Sequence, residues 1–290
     1  MKLSEAGEFG LLRELERLEL VSGQDAEGAI LGGGRVATLD VLAEGVHFRL
    51  DWTSFRDLGY KAAAVNLSDL AAMGAAAEGL LVGLGAPEGA EVAQVVELYE
   101  GLNEAGVPVL GGDTTRTPSW FLSVTAFGTS DRVPGRAGAR PGDLLVVTGP
   151  LGGSAAGRHV LEHALGGFDE LVETHRRPPL RLEEGRRLAR VAHALVDLSD
   201  GIGSDAARIA ERSGCKVVLD VEAIPRASRV DEVADLPFWT LGEDYELLAA
   251  LALEDAQASG SAWSGASRKA QASSPTSPAG SPSLRNSGSP

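Results

Sequence analysis

The chain has 290 residues, enough for two medium domains with their own cores, and its formal net charge of −15 argues against a surface built to grip nucleic-acid phosphates. One cysteine, Cys215, excludes an internal disulfide and a thiolate metal cage; preceding the apolar run Val217-Val218-Leu219, it reads as a packing residue. No apolar stretch approaches the ~20 residues of a membrane span, and residues 1–8 carry acid rather than a signal peptide's apolar core, so a cytoplasmic protein is expected.

In chain order, the pattern predicts an amphipathic helix over 9–20, a strand over 35–41 and a long alanine-rich helix over 55–73. A buried strand follows at 80–84, a helix at 91–103, a strand at 107–110 that stops at Gly111-Gly112-Asp113, and a strand at 120–127. Residues 134–142 read as a connection between domains. The second half begins with a strand at 144–149 and continues with helices at 154–165 and 182–195. The run 194–198 ends in Ser199-Asp200-Gly201, followed by a helix at 204–212 and strands at 217–221 and 245–251. Strands mixed with helices give an α/β fold. The predicted domains are 1–135, 136–252 and a Ser/Pro/Gly/Ala-rich tail, 253–290, whose few branched aliphatics cannot offset ordering entropy, so disorder is expected there.

The chemistry lies in the placement of the aspartates. Asp40 follows an apolar strand, Asp69 lies in a helical stretch with little other charge, and Asp113, Asp197 and Asp200 stand at strand ends. Two carboxylates ~4 Å apart repel by about 4 kcal/mol at an effective dielectric of ~20, and basic partners are scarce in these segments. A hard cation with oxygen ligands resolves that conflict, and magnesium carrying nucleotide phosphates fits. Taken singly, Asp113 or Asp200 also suits a helix N-cap or Asx turn, and Asp69 a pair with a distant arginine. The glycine-rich turns at 111–116 and 149–154 suit either tight turns or phosphate cradles. No G-x-x-x-x-G-K-[ST] motif is present. His47, close after Asp40 in a Gly-containing turn, is the histidine of interest; His159, His163, His175 and His193 read as helix-surface residues.

Together the motifs resemble one family. The segments 38–48 and 61–75, Gly111-Gly112-Asp113-Thr114-Thr115-Arg116, residues 136–143, Asp197-Leu198-Ser199-Asp200-Gly201 and Gly242-Glu243-Asp244-Tyr245-Glu246-Leu247 are similar, in order, to those of the thiamine-monophosphate kinases, within the aminoimidazole-ribonucleotide-synthetase-like superfamily. The resemblance covers roughly residues 7–252. It implies a two-domain PurM-like fold in which the N-terminal mixed sheets of two subunits pair into a dimeric barrel, with a C-terminal α/β domain behind. It also implies an enzyme using ATP and several magnesium ions to phosphorylate thiamine phosphate, as a homodimer without nucleic-acid or membrane partners. Carried over, Asp25, Thr38, Asp40, Asp69, Asp113, Asp197 and Asp200 hold metal. Tyr99, Gly112, Asp113, Arg136 and Ser199 contact ATP, and His47 and Glu243 face thiamine phosphate. No side chain serves as catalytic base, because the acceptor phosphate is already ionised.

Three departures stand out. The family's G-D-D is read as Gly23-Gln24-Asp25, with Glu27-Gly28 as a local insertion, and Leu39 replaces a hydroxyl residue before Asp40. The family continues beyond the glutamate motif with further strands and a late aromatic residue, where this chain has its tail, so the second domain reads as shortened. Two other readings remain: a different ATP-using enzyme of the superfamily, and a catalytically impaired nucleotide-binding dimer.

Overall fold

The computed structural model describes residues 2–21 and 25–258. Helix α1 (Leu3–Arg17), kinked at Gly7, precedes strands β1 (Ala29–Leu31) and β2 (Arg35–Ala43). Next come α2 (Phe55–Ala72), β3 (Ala76–Ala86), α3 (Val92–Glu104), β4 (Val109–Arg116) and β5 (Phe121–Thr129). The second half contains β6 (Leu144–Val147), α4 (Gly153–Glu162), α5 (Asp169–Arg176), α6 (Leu182–Ala189), β7 (Ala194–Asp197) and α7 (Ile202–Ser213). It closes with a single turn α8 (Val230–Val233), β8 (Leu247–Leu251) and α9 (Leu253–Ala258). Of the tail expected to be disordered over 253–290, residues 253–258 instead form α9, with Ala256 buried on the second core; the rest, from Ser259 onward, lies outside the described residues, as do Gly23 and Gln24.

The first sheet has the order β1-β2-β5-β3-β4; only β3 and β4 run parallel, with α3 as their crossover. Its inner face, carrying Val36, Leu42, Leu80, Val82, Leu122 and Val124, is buried with α2 and α3. Helix α2 starts where the Ser54 hydroxyl accepts from the Asp57 N–H at 3.0 Å. Its small residues allow close neighbours on several sides. A Cβ on Gly59 would stand 1.9 Å from the Leu98 carbonyl oxygen, and one on Gly101 of α3 1.8 Å from that of Arg56, so both glycines are needed for the two backbones to meet.

The second sheet, β6-β8-β7, is antiparallel throughout. Its centre, β8, is fully buried and alternates between two cores. Leu248 and Ala250 pack with Ile202, Ala206 and Ile209 of α7, whereas Leu247, Ala249 and Leu251 pack with Ala71 and Ala72 of α2 and Leu188 of α6. Helix α2 is thus shared, one side against the first sheet and the other against the second. Between the halves, Arg132 donates to the Ala192 carbonyl at 2.7 Å.

Several expectations change. The strand ending at Gly111 instead runs through Gly112 and Asp113 to Arg116, paired with β3 throughout. Residues 217–221 form no strand; Val217 and Leu219 pack on the core, but the backbone turns away where Asp220 caps the short 3-10 helix Val221–Ala223. The helix expected at 182–195 stops at Ala189, and α5 was not anticipated. His175 is buried against Ser154, and His193 lies outside any helix with Nδ1 2.9 Å from Asp143, so neither is the helix-surface residue expected.

Candidate active site

The inner face of β2, one side of α2 and the end of β7 meet at the junction of the two halves. There, carboxylate oxygens of Glu27, Asp69 and Asp197 lie within 4.8 Å of one another. Neighbouring hydroxyls hold them in place: Thr38 donates to Asp69, and Ser68 donates to Asp197 at 2.8 Å. Asp40 stands beside them on β2, its N–H donating to Asn66 Oδ1 at 3.1 Å. Burial, then the charges of Asp197, Asp40 and Glu27, pushes Asp69 well above the usual carboxylate range. Asp197 rises likewise through burial and then Glu27 and Asp205, with the Ser68 hydrogen bond opposing. Arg136 offsets part of this charge, its Nε donating to Glu27 at 3.1 Å and a second nitrogen to the other carboxylate oxygen. An all-oxygen donor set, short of positive charge and lacking nitrogen or sulfur ligands, suits magnesium rather than zinc.

A groove of about 1060 Å³ opens beside this cluster, lined by Glu27, Thr38, Arg136, Arg208 and Arg212. A second cavity, of about 220 Å³, contains His47, Trp52, Lys61, Arg158 and Glu243. Lys61 and Asp69 are eight residues apart on α2, hence ~12 Å along its axis. In this second cavity Lys61 Nζ donates to Glu243 at 3.0 Å, and His175 Nδ1 lies 3.5 Å from the same oxygen. Burial raises Glu243, but the charge and hydrogen bond of Lys61 outweigh it and leave the carboxyl below its ordinary value. Burial and Lys61 together lower His175 to about 3, so His175 is neutral near pH 7 and its contact with Glu243 is not an ion pair. His47 Nδ1 accepts from the Ala43 N–H at 3.1 Å. Tyr245, half-buried against the first core, has its phenol pushed well up by burial and by Glu243, Asp40, Asp197 and Asp69.

The remaining anticipated residues stand elsewhere. Asp25 is exposed, with Arg212 3.5 Å away, outside the cluster. Glu27, two residues later, occupies the cluster instead; an acid two residues before a strand was the signal, hidden when Glu27-Gly28 was read as an insertion. Asp200 is half exposed and paired with Arg208, and Ser199 accepts from the Glu243 N–H at 2.8 Å. Tyr99 lines a shallow surface hollow with Arg56 and Asn103, away from the carboxylates. Gly112 lets β4 approach β3, since a Cβ there would stand 1.9 Å from the Val82 carbonyl oxygen. Asp113 pairs with Gly83, one step from inward-facing Val82, and so belongs to the outer face of the sheet, opposite Asp40. The turn at 149–154 holds an internal carboxyl: both Asp244 oxygens accept from the Gly152 N–H, at 2.9 and 2.8 Å, while burial outweighs these bonds and raises the group to about 7.

Two family models match the chain, AIR synthase related protein, N-terminal domain, over residues 24–130 and AIR synthase related protein, C-terminal domain, over 140–268. Thiamine-monophosphate kinase of Salmonella typhimurium is 40% identical over 266 residues, covering 83% of this chain and 81% of that protein. The Mycobacterium tuberculosis protein of the same name is 38% identical over 271 residues, covering 85% and 81%. The solved structure of AaThiL complexed with AMPPCP and TMP superposes with a TM-score of 0.86 at 30% identity, covering 95% of this chain and 93% of that one. The two-domain PurM-like architecture, the order of the motifs and this degree of identity place the chain in the thiamine-monophosphate kinase family.

Proposed function

We propose that the chain transfers the terminal phosphoryl group of ATP to thiamine monophosphate, giving thiamine diphosphate, with magnesium at the carboxylate cluster. The observation carrying this reading is the convergence of Glu27, Asp69 and Asp197 beside a nucleotide-sized groove, ~12 Å along α2 from a smaller pocket holding its own carboxylate and cations. Those three acids, with Asp40 and Thr38 beside them, hold the metal, which when bound neutralises the repulsion between two phosphates. The chain's own work is positioning. Arg136 brings a fixed cation to the groove, and Asp200 reaches it through its pair with Arg208, which lines it. The smaller pocket takes thiamine monophosphate, with Glu243 beside the cationic thiazolium ring and His47 also lining it. An acceptor phosphate oxygen is ionised near neutral pH, so no residue has to remove a proton. ATP use in a biosynthetic step suits the cytoplasm; no helix among the described residues is long and apolar enough to cross a membrane.

The homodimer belongs to the same reading. Asp40 and Asp113 lie on opposite faces of one sheet, three strand spacings or about 14 Å apart through β5 and β3, so one chain cannot bring both to one ion. The outer face exposes Leu39, Val41, Leu81 and Phe121. Pairing two copies through that face covers the apolar patch and delivers Gly112 and Asp113 of one copy to the groove of the other; Tyr99, on α3 behind the inner face, is not carried across by it.

The test is thiamine diphosphate formation by the purified chain given ATP, magnesium and thiamine monophosphate, read by chromatography. The proposal predicts turnover that stops when magnesium is chelated. Turnover with a different acceptor and none with thiamine monophosphate would overturn it.

A further inference from the structure

Helix α4 carries an arrangement that the proposed phosphoryl transfer does not use. His159, Glu162 and His163 stand at positions i, i+3 and i+4, on one face of the helix, and one ligand atom from each lies within 4.8 Å of the others. His163 Nδ1 is 2.9 Å from the His159 carbonyl oxygen. A carbonyl only accepts, so Nδ1 carries the proton and Nε2 keeps its lone pair, the tautomer a metal-binding imidazole needs. The rings of His159 and His163 stack at 4.0 Å, and His159 meets Phe238 edge-on at 5.4 Å, which limits the rotation of the half-buried ring. Glu162 pairs with Arg158 at 3.7 Å, beyond hydrogen-bond distance, and also faces the charge of Arg49, so a dication has to displace two exposed arginines that hold the carboxylate only loosely.

We propose that His159, Glu162 and His163 form a second metal site, one that takes a first-row transition-metal dication of the zinc class. Two imidazoles and a carboxylate supply three ligands, and water completes a four-coordinate shell. Ligand chemistry separates this site from the cluster on α2: magnesium demands an oxygen octahedron, whereas imidazole nitrogen favours zinc, cobalt or nickel. Small side-chain rotations bring the three atoms to the ~2.1 Å metal–ligand distances that zinc requires. Glu162 and Arg158 also line the smaller cavity, so a bound dication adds positive charge at its rim and draws Glu162 away from Arg158.

The experiment is a cobalt(II) titration of the full chain, without an affinity tag and in excess magnesium, followed by visible absorption. The expected result is an intense band of low-coordinate cobalt that saturates at one equivalent, is displaced by zinc, and persists in Asp69→Asn. In His163→Gln the band is lost, and in Glu162→Gln binding weakens at least about tenfold; both side chains are exposed, so the fold is kept. Only the weak spectrum of six-coordinate cobalt, or a band unchanged in both variants, overturns the proposal.

Discussion

Ser68 of α2 donates a 2.8 Å hydrogen bond to Asp197 at the end of β7, while its neighbour Asp69 presents its own carboxylate to the same space. Two adjacent residues therefore fix the distance between acids from opposite halves of the chain. Such a pair is unfavourable without a cation, and the elevated proton affinity of both carboxyls expresses that cost.

Asp197→Asn removes a buried like charge as well as a metal ligand. Without magnesium the variant should melt no lower than the parent chain, yet magnesium should no longer raise its Tm. Turnover should fall at least ~100-fold, since even supporting residues of metal sites cost up to that much. Thermal melts with and without magnesium, beside the activity assay, check both parts.

Lys61→Met leaves Glu243 without its principal partner. The expected outcome is a KM for thiamine monophosphate raised about tenfold or more, with the KM for ATP nearly unchanged and a stability loss of ~1–3 kcal/mol. Equal effects on both substrates would remove Lys61 and Glu243 from the acceptor pocket.

His175 is buried neutral, its affinity for a proton lowered to about 3 from an ordinary 6.5. The unfolded chain gains a proton near 6.5 that the folded chain refuses. His175 therefore contributes full stability above pH 6.5, and that contribution declines as pH falls toward 3, by about 1.4 kcal/mol per pH unit. Urea unfolding at pH 7 and 5.5 should show a steeper acid-side loss for the parent chain than for His175→Asn.

Mixing Asp69→Asn with Asp113→Asn tests the shared site. If each groove takes Asp69 from one copy and Asp113 from the other, half the dimers are mixed and each has one intact site. Two inactive variants should then regain about a quarter of parental activity after subunit exchange. No recovery would assign both residues to one chain.

Helix α2 was legible because its run of alanines is a local signal, with Asp69 the one acid beyond its first turn. Strands β2, β3 and β5 were legible for the same reason, from short apolar runs. The face on which Asp113 lies was not, because it depends on pairing between strands distant in sequence, and glycines at 111 and 112 imitate a strand end. His175 looked like a surface residue because its burial comes from Ser154, Lys61 and Glu243, all remote from it in the chain. Residues 217–221 have a strand's composition, but among the described residues no strand pairs with them. The exchange of Asp25 for Glu27 turned on a two-residue shift in a short segment, where either acid satisfied the pattern.

Calorimetric titration of magnesium with ATP into Glu27→Gln and Asp25→Asn, beside the parent chain, addresses the site most directly. Convergence of Glu27, Asp69 and Asp197 on the metal predicts that Glu27→Gln loses magnesium-dependent nucleotide binding while Asp25→Asn keeps it. Retention in Glu27→Gln together with loss in Asp25→Asn would contradict the account.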